Sequence, residues 1–327
     1  MKQKVIFVGI VILLLLIVST CTRKSNFPVL KGPYLGKKPP GRIPEVFAPG
    51  IVSSENQEHS SLAFSPDGKE MWWSLWRLPH DLDKYPQVIK YIKLENDEWS
   101  KPRVAPFSGK YRDGGPAFSP DGRRIYFYSR RPLQSNDEAM HDNDIWYVER
   151  SEDGWSQPVN LGKPVNTPFV EATPCLSANG NLYFTSDRNQ YDDPTGNNDL
   201  FMSEFMNGSF SEPKGLGDPI NTSYARESFP YIAPDEGYII FSKDNRKFDS
   251  DGNTIQGDRR LMISFKDEND LWRNPIDMGP YYQKARFPSV SSDGKYLFFT
   301  KYTEEANEDF YWVDANIIEE LKSVVLK

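Results

Sequence analysis

Short apolar and aromatic runs alternate with polar turns through most of the chain, and the alternation repeats five times. Each repeat contains an Asp-Gly or Asn-Gly type of turn, which supplies the positive φ angles of a tight hairpin. The turns are Ser65–Gly68, Ser119–Gly122, Ser177–Gly180, Ala233–Gly237 and Ser291–Gly294. Apolar runs such as Ile125–Tyr128 and Tyr296–Phe299 follow the turns. Each turn is therefore predicted to join two strands, A and B.

Two further strands are predicted in each repeat. An aromatic residue stands three positions before a Pro at Trp99/Pro102, Trp155/Pro158, Phe210/Pro213 and Trp272/Pro275. Because Pro is tolerated on an outermost strand, this pattern predicts an edge strand D. Asp144–Val148, Asp199–Met202 and Leu261–Ile263 lie between the two patterns and predict strand C. Five four-stranded units indicate an all-β fold, the β-propeller.

The fifth repeat lacks a strand D of its own. Ile43–Phe47, near the start of the chain, falls in the same register as Lys101–Ala105. We expect this N-terminal strand to complete the last blade, so that residues 42–314 form a closed five-bladed ring. Six blades are the alternative, but the sequence holds no sixth unit. Residues 315–327 are predicted to form a short helical tail.

The first residues predict export rather than fold. Lys2 and Lys4 precede an apolar run from Val5 to Val18, which is short for a membrane span but typical of a secretory signal. The run ends at Cys21 in a sequence that resembles a lipobox. We interpret residues 1–20 as a lipoprotein signal peptide, Cys21 as the lipidated residue and residues 21–41 as a flexible tether. A plain membrane anchor is the alternative.

Composition and charge limit the classes of partner that the protein can bind. Aromatic residues make up 14% of the chain, the mean hydropathy is −0.63, and the net charge of −7 becomes −9 without Lys2 and Lys4. Such a surface does not attract nucleic acid in general. Cys175 is the second of only two cysteines, so no disulfide framework is expected. We expect a monomer in the cell envelope, on the outer membrane and facing the periplasm.

The repeats resemble the WD40-like β-propeller family with the Ser-Pro-Asp-Gly signature, which includes the TolB-like propellers. The resemblance covers roughly residues 42–314, and the stretch from Asn143 to Leu161 is close to the family pattern. It implies an envelope protein that binds other envelope components, and it leaves the function open because fold alone does not fix function.

Long polar B-to-C loops mark one face of the propeller as the candidate binding face. These loops are Trp76–Gln87, Arg130–Asn143, Asp187–Asn198 and Lys243–Arg259. Charged residues stand where strand A begins or strand B ends: His59, Arg112, Asp113, Arg130, Glu171, Arg188, Arg226, Glu227, Arg246 and Arg286. They predict a polar cup for an envelope protein, a peptide tail, a glycan or a small anionic ligand. The alternative is that these charges pair with one another and hold the loop ends.

An enzyme and a metal site are weaker interpretations. Asp113, Glu171 and Glu227 offer the carboxylates of a propeller glycosidase, although no longer glycosidase motif surrounds them. The Gly-x-Ser-x-Gly elbow of serine hydrolases is absent. Residues 249–253 alternate oxygen ligands like a calcium loop but lack its closing Glu, so no cofactor is expected and calcium is the alternative. The sequence thus favours a binding module over an enzyme.

Overall fold

The computed structural model describes residues 27–77, 87–134, 140, 142–152, 154–189, 198–248, 254–302 and 307–325. The side chains of residues 246–248 and 254–256 lie outside this description. The chain forms antiparallel sheets arranged as a five-bladed β-propeller, which confirms the predicted fold and the blade number.

Each blade runs from the inner strand A to the outer strand D, and some strands are split. Blade 1 comprises Gln57–Glu58 and Ala63–Phe64 (A), Glu70–Trp76 (B), Val88–Glu95 (C), and Glu98–Trp99 and Arg103–Val104 (D). Blade 2 comprises Asp113–Phe118 (A), Arg124–Ser129 (B), Asp144–Ser151 (C), and Gly154–Trp155 and Val159–Asn160 (D). Blade 3 comprises Glu171–Leu176 (A), Leu182–Ser186 (B), Asp199–Ser203 and Phe205–Met206 (C), and Ser209–Phe210 and Lys214–Gly215 (D).

The last two blades differ in their edges. Blade 4 comprises Ala225–Ile232 (A), Tyr238–Phe248 (B), Thr254–Phe265 (C) and Ile276–Asp277 (D). Blade 5 comprises Ala285–Val290 (A), Tyr296–Tyr302 (B), Glu308–Asp314 (C) and Glu45–Val46 (D). An α-helix follows at Asn316–Val325, and short 3-10 helices occupy Pro33–Gly36 and Pro280–Tyr282.

Side-chain hydrogen bonds stabilise the A-to-B turns, in addition to the glycine that each turn contains. In blade 1 the Ser65 hydroxyl donates to Asp67 at 2.6 Å and accepts the Glu70 backbone N–H at 2.9 Å. Gly68 has a φ of 69°, in the left-handed region that a glycine adopts without steric cost. The same hydroxyl bonds recur in the turns of blades 2 and 5. The Ser-Pro-Asp-Gly signature therefore stabilises the hairpin turn between strands A and B.

Aromatic side chains fill the interfaces between blades. Successive residues of a strand point to opposite faces of its sheet. Trp73 accordingly packs in the core between blades 1 and 5, whereas Trp72 packs in the core between blades 1 and 2. In blade 2, Phe127 shares the core with Trp72, and Tyr126 packs toward blade 3. Each blade thus buries both faces against its neighbours.

The N-terminal strand closes the ring as predicted. It pairs antiparallel with strand C of blade 5, with Glu45 opposite Trp312. The next residue, Phe47, is fully buried, and its ring centroid lies 5.1 Å from that of Phe298 and 5.0 Å from that of Trp312. Two paired residues and one buried ring therefore join the two ends of the propeller.

The described part of the predicted tether, residues 27–41, packs on the propeller instead. Leu30 and Leu35 are buried in the core between blades 5 and 1. The Leu30 carbonyl accepts the Trp99 backbone N–H at 2.9 Å, and the Tyr34 hydroxyl donates to the Asp of the blade 5 turn. The flexible-tether prediction is therefore wrong for these residues. Their apolar residues follow no strand or helix periodicity, so the sequence did not indicate that they would be buried.

Two local predictions are wrong in blade 4. The stretch from Lys243 to Arg259, predicted as a loop, extends the strands B and C, with Asn245 opposite Asp258. The left-handed turn position, assigned to the glycine at the end of the turn, falls on Glu236, whose φ is 60°. An extra residue in this turn shifts the position by one.

Candidate functional site

The predicted carboxylates lie where the connection from the preceding blade enters strand A. In blade 3, Thr167 donates its N–H and its hydroxyl to Glu171 at 2.8 and 2.7 Å. Thr222 does the same for Glu227 in blade 4, at 3.3 and 2.7 Å. Glu171 and Glu227 therefore each tie a blade to the connection that leads into it.

Each of these carboxylates also forms an ion pair with a cation near the end of strand B. The pairs are Asp113–Arg131 at 2.7 Å, Glu171–Arg188 at 3.1 Å and Glu227–Lys243 at 3.2 Å. All three acidic side chains have an exposed fraction of zero. The three predicted acids are thus neutralised inside the blades, and Arg188 is the only one of their partners that was itself predicted for the cup.

This arrangement does not favour the glycosidase alternative. Burial raises the pKa of Glu171 to about 7 against the opposing bonds from Thr167 and the charge of Arg188, a value that would suit a general acid. A general acid must reach its substrate, however, and Glu171 is buried beneath four hydrogen bonds from Thr167, Ser186 and Arg188.

Two further buried carboxylates, Glu58 in blade 1 and Glu308 in blade 5, were not predicted from the sequence. In blade 1, Ser54 donates its N–H and hydroxyl to Glu58 at 3.1 and 2.7 Å. A Ser or Thr four residues before a Glu, as in blade 3, was the signal that could have found it. In blade 5 the carboxylate comes from strand C, so no repeat register predicts it.

That carboxylate, Glu308, holds two of the predicted site residues. It accepts from Arg286 at 2.8 Å, from Thr300 at 2.6 Å, and lies 2.9 Å from the His59 Nδ1 atom. Burial lowers the pKa of His59 and outweighs the attraction of Glu308, and the charges of Arg286 and Arg112 lower it further. His59 and Arg286 thus lie together around a buried carboxylate.

Glu58 lacks the cation that accompanies the other carboxylates. Its Oε2 atom is buried without a hydrogen-bond partner, and no Lys, Arg or His among the described residues forms an ion pair with it. Burial raises the pKa of Glu58 to about 8, although the bonds from Ser54 oppose the shift. An acid whose pKa is raised by folding destabilises the folded chain as it ionises, so this contribution worsens as pH rises from about 4.5 to 8.

We therefore expect Glu58→Gln to stabilise the protein at high pH. The amide accepts the same bonds without a charge, so the gain should be near zero at pH 4 and grow by up to about 1.4 kcal/mol per pH unit toward pH 8. Urea unfolding at several pH values measures this difference. Glu55→Gln, at an exposed position nearby, is the control. A gain that did not vary with pH would contradict the assignment.

Two arginines of the candidate face lie side by side in blade 2. The Arg130 backbone N–H donates to the Arg112 carbonyl at 3.0 Å, and the Arg112 guanidinium lies 4.8 Å from the centre of the Trp76 ring. The Nε atoms of both arginines are buried without a hydrogen-bond partner. Burial lowers the pKa of Arg130, and the charge of Arg112 lowers it further. We call Trp76, Arg112 and Arg130 the arginine patch.

Other predicted residues take no part in this patch. Arg226 is exposed and forms no ion pair with any described residue. The Arg246 side chain, Cys21 and residues 249–253 lie outside the described residues. Within the described ranges, no three His, Cys, Asp or Glu side chains group to hold a metal, and no helix is long and apolar enough to cross a membrane.

Comparisons with known proteins add little beyond the fold. No family model matches the chain, and no curated protein matches its sequence. Among solved structures, the chain is similar to an α-L-arabinofuranosidase from Lactobacillus brevis (15% identity, TM-score 0.46, covering 80% of this chain and 92% of that one). It is also similar to the gluconolactonase XC5397 from Xanthomonas campestris (11%, 0.44, 89% and 98%).

A prolyl oligopeptidase B from Galerina marginata also matches, at 12% identity and a TM-score of 0.41 over 80% of this chain. The match covers 32% of the oligopeptidase, so the chain spans about a third of its length. At these identities and TM-scores, no activity or substrate follows for this chain.

Proposed function

We propose that the protein is an exported propeller, anchored by lipid at Cys21, that serves as a binding module of the cell envelope. The WD40-like, TolB-like character of the repeats and the lipobox support this role. The paired state of Asp113, Glu171 and Glu227 supports binding over catalysis, because it leaves no predicted acid or base free at the surface.

The arginine patch carries the proposal. Two neighbouring guanidinium groups repel each other, and neither forms an ion pair with a described residue. A carboxylate or phosphate would relieve this repulsion through charge-assisted hydrogen bonds, which arginine forms well. The Trp76 ring is only 8% exposed and packs against the Arg112 guanidinium, so it holds that group in place beside Arg130. We infer that the patch takes an anionic group of an envelope peptide or glycan.

Arg188 is also among the predicted ligand contacts. Because Arg188 bonds to Glu171 and to the Val165 carbonyl at 2.6 Å, its replacement would disturb blade 3 rather than report binding. Arg112 and Arg130 are the informative positions.

We expect Arg112→Ala and Arg130→Ala each to weaken binding of an anionic probe by about tenfold or more, since truncating a charged contact costs 1.4 kcal/mol or more. The full chain would be titrated with peptides bearing a free C-terminal carboxylate and with anionic cell-wall fragments, and both retention and product would be followed. Arg103→Ala, at an exposed position of blade 1, should bind like the parent. Retention insensitive to both arginines, or turnover of a probe, would contradict the proposal.

A further inference from the structure

A cavity of about 770 Å³ opens on blade 4. It lies between the connection from blade 3 and the strands B, C and D of blade 4. Its lining includes Tyr224, Lys243, Asn245, Arg260 and Asn274. None of these residues belongs to the arginine patch.

The charges around this cavity are compensated. Lys243 pairs with Glu227 at 3.2 Å, and Arg260 pairs with Asp258 at 2.6 Å and with Asp277 at 2.5 Å. A charged ligand would have to compete with these ion pairs. Asp218 forms no ion pair with a described residue, but it is exposed, so water screens its charge. The electrostatics therefore favour a neutral ligand.

The remaining polar groups suit hydroxyl groups. Asn245 and Asn274 are exposed, and their side-chain amides form no hydrogen bond with another described residue. An amide both donates and accepts, as does a hydroxyl group, so the two form complementary pairs. Sugars carry many hydroxyl groups at close spacing. A cavity lined by ion pairs and by two amides without a partner among the described residues thus matches a polyhydroxylated ligand.

The cavity is also lined by an exposed aromatic ring. Tyr224 lines the cavity and is 64% exposed, with the Lys243 Nζ atom 4.7 Å from its ring centre. A sugar ring presents an apolar C–H face that packs on such a ring while its hydroxyls stay in the polar surroundings. A protein partner would instead place an aromatic or Arg anchor in a dry pocket, which ion pairs and amides do not provide.

We propose that this cavity binds a neutral oligosaccharide, with one sugar ring on Tyr224 and hydroxyl groups bonded to Asn245 and Asn274. The site goes beyond the proposed anion site: it lies on another blade and takes another chemical class. A glycan of the envelope carries both classes of group, so the two sites can act on one polymer or separately.

The test is calorimetric titration of the full chain with cellohexaose, xylohexaose, maltohexaose and chitohexaose, in a detergent without a sugar headgroup. We expect at least one to bind, Tyr224→Ala to weaken it by about tenfold or more, and Tyr224→Phe to retain it within about threefold. Asn274→Ala should weaken binding as well. Tyr281→Ala, which removes a 49% exposed ring in the connection between blades 4 and 5, should leave it unchanged.

Three results would overturn the proposal: no binding of any of the four sugars, equal binding by Tyr224→Ala, or loss of binding in Arg112→Ala alone. The last would place the sugar on the arginine patch. Because Tyr224 is exposed, its variants should keep the parent's circular dichroism and unfolding midpoint, which separates loss of a contact from loss of fold. An anionic probe that still binds Tyr224→Ala would show that the patch works independently.

Discussion

Deletion of residues 42–48 is expected to unfold the propeller under conditions in which the parent protein is folded. The deletion removes strand D of blade 5 and the fully buried Phe47, and it exposes the edge of Glu308–Asp314. It also shortens by seven residues the link between the packed segment 27–41 and the start of blade 1. Losing a buried Phe side chain alone costs about 3–5 kcal/mol, and a whole domain is stable by only about 5–15 kcal/mol.

A point variant makes this test quantitative. Phe47→Ala should lower the free energy of unfolding by about 3–5 kcal/mol, because the rings of Phe298 and Trp312 lose their neighbour. Ile43→Ala, at a side chain that is 63% exposed, should change it by less than about 0.5 kcal/mol. Chemical denaturation measures both. A truncated protein that melts at the parent's temperature would show that the ring closes in another way.

Asp113→Ala is expected to have the second largest effect, with a loss of about 3–5 kcal/mol. Asp113 is fully buried, and its removal leaves the 9% exposed Arg131 side chain without its carboxylate. An uncompensated buried charge is costly, whereas two buried partners can be replaced together by apolar groups. The double variant Asp113→Ala with Arg131→Leu should therefore recover part of the loss.

The exposed pair Arg124–Glu149 in the same blade is the matched control. Their side chains are 33% and 50% exposed, so Glu149→Ala should cost less than about 1 kcal/mol. Equal losses in Asp113→Ala and Glu149→Ala would contradict a structural role for the buried pair. An unchanged stability combined with lost turnover of a sugar substrate would restore the glycosidase alternative.

The fold was readable from the sequence because its signals are local. Turn residues such as Gly68 and Gly122 recur with each blade, and strands such as Tyr126–Phe127 alternate between two interfaces. Even the closing strand could be predicted, since Pro44 keeps the register of Pro102.

The site was less readable because its partners are distant in sequence. Nothing near Asp113 shows that its side chain meets Arg131, and Glu308 enters blade 5 from strand C, outside the repeat register. The buried acids of blades 2 to 4 could therefore be named from the sequence, whereas Arg131, Lys243 and Glu308 could not. The side chains of Arg112 and Arg130 form no ion pair with a described residue. For these two arginines, ligand binding remains a prediction.

The packed N-terminal segment has a mechanical consequence. A pull on the chain from its N-terminal side would first load the contacts of Leu30 and Tyr34 with blades 1 and 5, and only afterwards the strand that holds Phe47. The contacts of the packed segment would thus have to break before the force reached the strand that closes the ring.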